Sequence, residues 1–423
     1  MKMPSQNTAL YMTRTRYCAV AVFAFTVLFS VTAVESAMLL LAGALIFERG
    51  RAGELPALFR EAGRQPLFRL WLFYLAAGLL AAAFALNKTA AFSYLPSDAI
   101  KYLCFAVLLA SLKEDLLPPM SEFYTAGAIF TAALGTGHVA WFFSSYGTFY
   151  QRAAAFSNPV RYGEIMVIAF AFTLSALLLP PSKNRPGRGK YYLAASVLIF
   201  ITVILTRTRG AYLGLLLVPA VMFAFDKALR GRIAVWAGVF LVLTALAAFF
   251  NPYLRSRISD PYNAAEDSAS ESLRKRSMTV GNKDAVGVNI RLELWKTGLK
   301  MFKDHPVLGL GPANIKTAFN IYHPGPLGIQ DSWGSVHNLY LQQLAERGIV
   351  GLAALAALFG GMFALALKNF RAGRNAYTLW ALAALPAYFV MNLTEISFQH
   401  IHTSFAVLLA LAASTNSIKG TEA

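Results

Sequence analysis

Charge is scarce in this chain, and acidic charge is scarcest. Of 423 residues only 14% are charged, with 21 Asp and Glu against 38 Lys and Arg. Soluble domains carry roughly a quarter charged residues, so a soluble fold is excluded. Cysteine is almost absent. Cys18 and Cys104 both lie inside apolar runs, which argues against a disulfide framework or a thiolate metal cluster. Both read as packing residues of the core and carry no information on redox compartment. What fills the chain instead is apolar: 57% of residues are hydrophobic and the mean hydropathy is +0.51. A net charge of +17 would suit nucleic acid. Most of the basic residues, however, sit in short loops between apolar runs, as membrane topology requires, and nucleic acid is not an expected partner.

Apolar runs of about 20 residues recur over nearly the whole length, which points to helices rather than a barrel. The pattern predicts an all-α integral membrane protein, a single polytopic domain over residues 1–423 with about twelve transmembrane helices. They centre near residues 25, 41, 78, 106, 133, 170, 199, 218, 242, 358, 385 and 408. One large polar segment, residues 251–336, interrupts them. The first run resembles a signal peptide, with Arg14 and Arg16 ahead of it and Ala33 or Ala37 as a cleavage site. A second apolar run follows at once, so it reads as a signal anchor.

Basic residues in alternate loops set the orientation. Arg49, Arg51, Arg60, Arg64 and Arg69 fill the second loop, and Lys183, Arg185, Arg188 and Lys190 the sixth. Lys227, Arg230 and Arg232 fill the eighth, and Lys368, Arg371 and Arg374 the tenth. In the fourth, Lys113 is offset by Glu114 and Asp115. The positive-inside rule puts these loops and both termini in the cytoplasm and the large segment in the periplasm of a Gram-negative cell. All six histidines, at 138, 305, 323, 337, 400 and 402, then fall on or near the outer face. So do Arg152, Arg161, Arg207 and Arg209, which the rule disfavours there. An anionic ligand at the outer leaflet of the inner membrane would account for them.

Four stretches could carry chemistry. In TRTRGAYLG (206–214), Arg207 and Arg209 stand in a very short outward loop at the start of a span. Guanidinium forks pair with phosphate oxygens, and a helix N-terminus favours anions; the competing role is snorkelling to lipid headgroups. In QRAAAFSNPVRYG (151–163), Arg152 and Arg161 flank Asn158-Pro159, a turn that starts a helix. Here surface charge and ligand contact weigh equally. In RLELWKTGLKMFKDHPVLGLG (291–311), Leu292, Trp295, Leu299 and Phe302 follow helical spacing. This predicts an amphipathic helix near 291–303 lying along the membrane, with Arg291 at its start. The GxG that follows is a plain turn more readily than a phosphate cradle. In SVHNLYLQQLAERG (335–348), Ser335 reads as an N-cap. His337 then falls in a first turn whose dipole favours the neutral imidazole of a general base. Asp331, Glu346 and Glu395 are rival bases. His400 and His402 with Glu395 lack a third close ligand, and no metal is expected.

The order R-x-x-x-W (Arg291–Trp295), HPVLGLG, HNLYLQQLAERGIVGL resembles the shared core of the O-antigen ligase and polymerase superfamily. TRTRGAYLG looks like that family's upstream arginine motif, and QRAAAFSNPVRYG like its preceding loop. The resemblance covers roughly residues 150–360. It implies a glycosyltransferase of the GT-C membrane type with an undecaprenyl-pyrophosphate-linked glycan as donor and a lipid A-core sugar hydroxyl as acceptor. It assigns essential roles to Arg209, Arg291 and His337. The sequence does not choose between Arg207 and Arg209 as the phosphate contact. On this reading Arg152, Arg161, Arg207, Arg209 and Arg291 bind pyrophosphate, fixed cations stand in for a metal, and no cofactor is needed. His337 orients or deprotonates the acceptor for a single inverting displacement, or, if protonated, contacts the pyrophosphate. A polymerase of lipid-linked repeats has overlapping motifs; a long loop just before His337 favours a ligase. A protein O-glycosyltransferase would extend further. A lipid-linked glycan transporter would show inverted repeats and midplane charges, whereas the unusual charges here cluster at the outer interface.

Overall fold

The computed structural model describes residues 6–51, 53–54, 65–147, 151–181, 188–250, 283–327 and 330–418. Within them the chain forms α1 (Gln6–Thr26), α2 (Val31–Arg51), α3 (Pro66–Ala83), α4 (Lys88–Ser111), α5 (Leu117–Tyr146), α6 (Pro159–Leu178) and α7 (Arg188–Leu205). It continues with α8 (Arg209–Phe225), α9 (Arg230–Phe250), α10 (Lys283–Asp304), α11 (Ile315–Tyr322), α12 (Leu339–Ala372), α13 (Ala376–Met391) and α14 (Ile401–Asn416). Among the described residues no β-strand occurs, apart from an isolated bridge between Leu327 and Gln330.

Among the described residues, eight helices are long and apolar enough to cross a membrane, and α8, α13 and α14 are shorter apolar helices. Each of the twelve sequence centres falls inside a helix, but the first lies in the last turn of α1. Arg14 and Arg16 therefore sit inside that helix rather than ahead of it. Arg16 is buried and paired with Glu48 of α2. Cys104 is buried in α4, but Cys18 is exposed on α1, so only the former is a core residue. Arg60, Arg64, Lys183, Arg185 and residues 251–282 of the polar segment lie outside the described residues.

Asparagine starts four of the helices by accepting the orphan N–H groups of the first turn: Asn87 for α4, Asn158 for α6, Asn338 for α12 and Asn375 for α13, the last in a capping box with Thr378. The centre of the bundle is α6, 83% buried over its apolar window, with α13 and α14. These three are buried on nearly every side and mostly apolar, as helices without a solvent face are. The Trp380 indole of α13 donates to the Ile168 carbonyl of α6 at 3.0 Å. By contrast α9 is only 11% buried and sinks just Ile233 and Phe240.

The two ends of the bundle differ. One gathers Arg16–Glu48, Arg188–Glu122 and Arg374–Asp226 pairs. The other gathers the 151–158 loop, the 206–208 link, α10, α11 and the 392–400 loop, and it holds the candidate site.

Candidate functional site

The floor of the site is the irregular stretch between α13 and α14. Asn392 accepts from the Phe398 N–H at 2.9 Å and donates to the Tyr388 carbonyl at 2.8 Å, folding the stretch back on itself. The start of α12 is pinned to it: the Leu339 N–H reaches the carbonyls of Asn392 and Glu395, and the Tyr340 hydroxyl donates to Phe389 at 2.8 Å. His337 and Glu395 are thereby presented to each other by backbone bonds.

His337 lies one residue before the cap of α12. Asn338, not Ser335, caps the helix, taking the N–H groups of Tyr340 and Leu341. Ser335 instead accepts from the His337 N–H at 3.0 Å. The imidazole is therefore outside the first turn, away from the helix dipole, and its partner is a carboxylate. His337 Nδ1 is 2.9 Å from Glu395 Oε2, while Arg291 Nη2 donates to Glu395 Oε1 at 2.7 Å. One side chain thus holds both residues that the sequence singled out. Burial works to raise the Glu395 pKa, but the hydrogen bond and charge of His337 and the charge of Arg291 prevail, and the carboxyl titrates below its ordinary range. His400 beside it is pushed down to about 3, by burial first and by the charge of Arg161 second, so it is neutral. The Trp333 ring meets the His337 ring edge-on at 5.7 Å.

His337 has φ 51° and Arg207 φ 50°, the left-handed region that non-glycine residues adopt at a cost of about 1–3 kcal/mol. Such strain persists only where the surroundings dictate it. For Arg207, only 7% exposed, the surroundings include Arg152. Its Nε donates to the Thr206 carbonyl at 2.7 Å and its Nη2 to Thr208 Oγ1 at 2.9 Å. Ala153 adds a backbone bond to Leu205. Arg152 thus braces the link between α7 and α8. Arg209 opens α8, and Gly210 after it approaches the 391–394 turn so closely that a Cβ would fall 2.3 Å from Thr394 Oγ1. A side chain here would have to turn the Thr394 hydroxyl aside, so the link packs directly on the 391–394 turn. Arg161, in the first turn of α6, is half-buried, and its charge reaches both His400 and Glu164.

Arg291, His337 and Arg161 are therefore grouped around Glu395 and His400, and the Arg207–Arg209 link joins the group through Gly210. Two carboxylates complete it. Of the three carboxylates that rival His337 in the sequence, Glu395 is the one at the site; Asp331 is exposed, and Glu346 is buried and accepts from Gln342 and the Ala313 N–H. The second carboxylate, Glu164, stands in none of the sequence motifs. It lies one turn inward from Arg161, fully buried, with Oε2 taking the Ser397 hydroxyl at 2.6 Å. A glutamate inside an apolar span is itself a signal. Among the described residues, no three His, Cys, Asp or Glu side chains gather as metal ligands.

The amphipathic helix is longer than expected, Lys283–Asp304, and buries Leu294, Thr297, Gly298 and Met301 against Val336 and α11. The anticipated stripe is its other face, with Leu292 and Leu299 exposed. The glycines of HPVLGLG form a clasp on α12. Leu310 and Gly311 donate to Ala345 and Glu346, and Ile349 and Val350 donate to Pro306 and Val307. They bridge a break in the helix at Gly348 (φ 59°).

Residues 194–356 match a family model described as O-antigen ligase. The matched segment holds Arg207, Arg209, Arg291 and His337. The chain is also similar to an uncharacterized protein of Haemophilus influenzae, 23% identical over 270 residues; these are 60% of this chain and 62% of that protein's length.

Proposed function

We propose, from the match of residues 194–356 to a family model described as O-antigen ligase, that this chain is a lipopolysaccharide glycosyltransferase of the inner membrane. It takes a glycan from undecaprenyl pyrophosphate and joins it to a sugar hydroxyl of lipid A-core. The observation that carries the reading is Glu395 between His337 and Arg291. With Nδ1–H directed at the carboxylate, the Nε2 lone pair of His337 is free to take a proton, and the imidazolium that results is stabilised by the charge beside it.

The acceptor oxygen attacks the anomeric carbon while the bond from that carbon to the pyrophosphate oxygen breaks. The acceptor proton passes to His337 Nε2, and undecaprenyl pyrophosphate leaves with inversion at the sugar. Arg161, Arg207, Arg209 and Arg291 stabilise the charge that grows on the leaving group. Arg152 acts by holding the 206–208 link in shape. The site end faces the periplasm and both termini face the cytoplasm.

A lipopolysaccharide gel from cells lacking the protein tests this reading. Unsubstituted core, with long lipid-linked polymer accumulating, is the expected phenotype, and wild type but not His337→Ala restores the ladder. Core capped by one repeat would instead identify a polymerase.

A further inference from the structure

Asp98 and Lys101 of α4 and Arg347 of α12 lie wholly inside the bundle, each at most 1% exposed, and the mechanism above uses none of them. Asp98 gives one oxygen to each cation: Oδ1 accepts from Lys101 Nζ at 3.2 Å, and Oδ2 from Arg347 Nη2. The Arg347 guanidinium also lies over two rings, 4.8 Å from the centre of Tyr74 and 6.0 Å from that of Tyr94. Lys101 stands ten residues, about 15 Å, from the far end of α4 at Ser111, close to the middle of a ~30 Å hydrocarbon core. The sequence puts the unusual charges at the outer interface, and this group departs from that expectation. A charge at such depth loses its hydration at a cost that pairing only partly returns, so a membrane bundle keeps one where it has a use.

The contacts of the group point to that use. Lys101 Nζ is 5.4 Å from the centre of the Phe398 ring, and Phe398 belongs to the 392–400 floor of the site. Trp71 and Tyr74 of α3 and Phe359 of α12 enclose that ring at centroid distances of 5.8, 5.7 and 5.1 Å. An ammonium over an aromatic face is held most strongly where both are out of water. The Phe398 N–H donates to Asn392, the bond that folds the floor. The next residue is held too: the Gln399 amide donates at 3.4 Å to Glu346, the neighbour of Arg347 in the chain. Glu395 lies midway between Asn392 and Phe398, so what fixes Phe398 fixes the carboxylate that meets His337 and Arg291. The charge of Lys101 also reaches the end of the floor, where it helps, behind burial and Arg161, to keep His400 neutral.

We propose that Lys101 is a positioning residue for the transfer: tethered through Asp98 to Arg347, its ammonium anchors Phe398 from beneath and sets the floor where Glu395 bridges His337 and Arg291. The role in transfer rests on the proposed transferase; the anchoring of the floor does not. Arg347 directly precedes the break at Gly348, where the HPVLGLG clasp closes on α12. The buried charges therefore tie the floor to the segment that continues from α10 and Arg291.

Lys101→Met tests it, because it removes the ammonium and leaves Asp98 paired with Arg347 rather than stranded. Two readouts are taken on the full chain. The first needs no turnover: the fluorine NMR signal of 5-fluorotryptophan at Trp333, whose ring meets that of His337, assigned by its loss in Trp333→Phe. Lys101→Met should move this signal, as Glu395→Gln does, and leave that of Trp236 on α9 in place. The second is initial rates with the lipid-linked glycan and lipid A-core. We expect kcat to fall about 10- to 100-fold, as for a displaced catalytic group, with both KM values little changed. In a Glu395→Gln background the same substitution should cost less than about twofold, since the two residues act through one carboxylate. An equal fall in both backgrounds, or a Trp333 signal at its wild-type position, would overturn the proposal. If wild type transfers no glycan, the transferase reading fails and the Trp333 signal alone decides the anchor. Should Lys101→Met not accumulate in the membrane, Phe398→Leu removes the ring, leaves the three charges in place and is judged by the same readouts.

Discussion

At the scale of single residues, Glu395 holds the candidate site together through His337 and Arg291. On the proposed mechanism, Glu395→Gln keeps the shape but removes the charge beside Nδ1. Initial rates should show kcat falling about 10²-fold with KM little changed, within the ~10²–10⁴-fold range of general-base catalysis that His337→Ala should also approach. An unchanged kcat would reduce Glu395 to a structural ion pair. His400 makes a separate prediction. An unfolded histidine takes up its proton near 6.5, whereas this one does so only at about 3 when folded. Between those values the unfolded chain holds more protons, so stability falls as pH drops through that window. His400→Gln removes this contribution, and its Tm should fall less than wild type's between pH 8 and pH 5. His337 and Arg291 were legible because each stands in a motif. Their common partner was not, because Glu395 is 58 residues from one and 104 from the other. Only the fold brings them together.

At the scale of elements, the break in α12 has no counterpart among the sequence expectations. The 34-residue helix is interrupted where Gly348 takes φ 59°, and the HPVLGLG clasp fills the gap. A Cβ at Gly348 would fall 2.2 Å from the Val307 carbonyl oxygen. Gly348→Ala should therefore lose at least the ~1–3 kcal/mol of left-handed backbone strain, seen as a lower Tm with residual activity in the folded fraction. A Tm equal to wild type would mean the break can straighten. The sequence marks this region with glycines and a proline but not their partner, since clasp and break are joined by backbone bonds that carry no side-chain signature. The cap of α12 was misplaced for a related reason. Ser335 and Asn338 are both good cap residues, and geometry gives the helix to the second. On α10 the periodicity marks the apolar stripe of Leu292 and Leu299 but not the face turned to the protein, because that face is made by Gly298 and Thr297 where Val336 comes close.

At the scale of the molecule, composition alone made the helical membrane class legible, and hydropathy located the helices. Their ends were less so: α1 begins well before the expected span because Arg16 is neutralised by Glu48 rather than left in water. The grouping of charge pairs at one end and site arginines at the other agrees with alternating loops. Orientation is tested by single cysteines in a chain lacking Cys18 and Cys104. Ser157→Cys should react with a membrane-impermeant maleimide in cells with a permeable outer membrane, and Arg371→Cys only after the inner membrane is opened. The reverse pattern would invert the topology and place the site in the cytoplasm.

Glu395 places one oxygen on His337 and the other on Arg291, and neither hold is independent of the other. An anion that draws the Arg291 guanidinium toward itself releases one carboxylate oxygen, and the side chain is then steered by the imidazole alone. What occupies one flank of Glu395 is thus transmitted to the placing of the ring on the other.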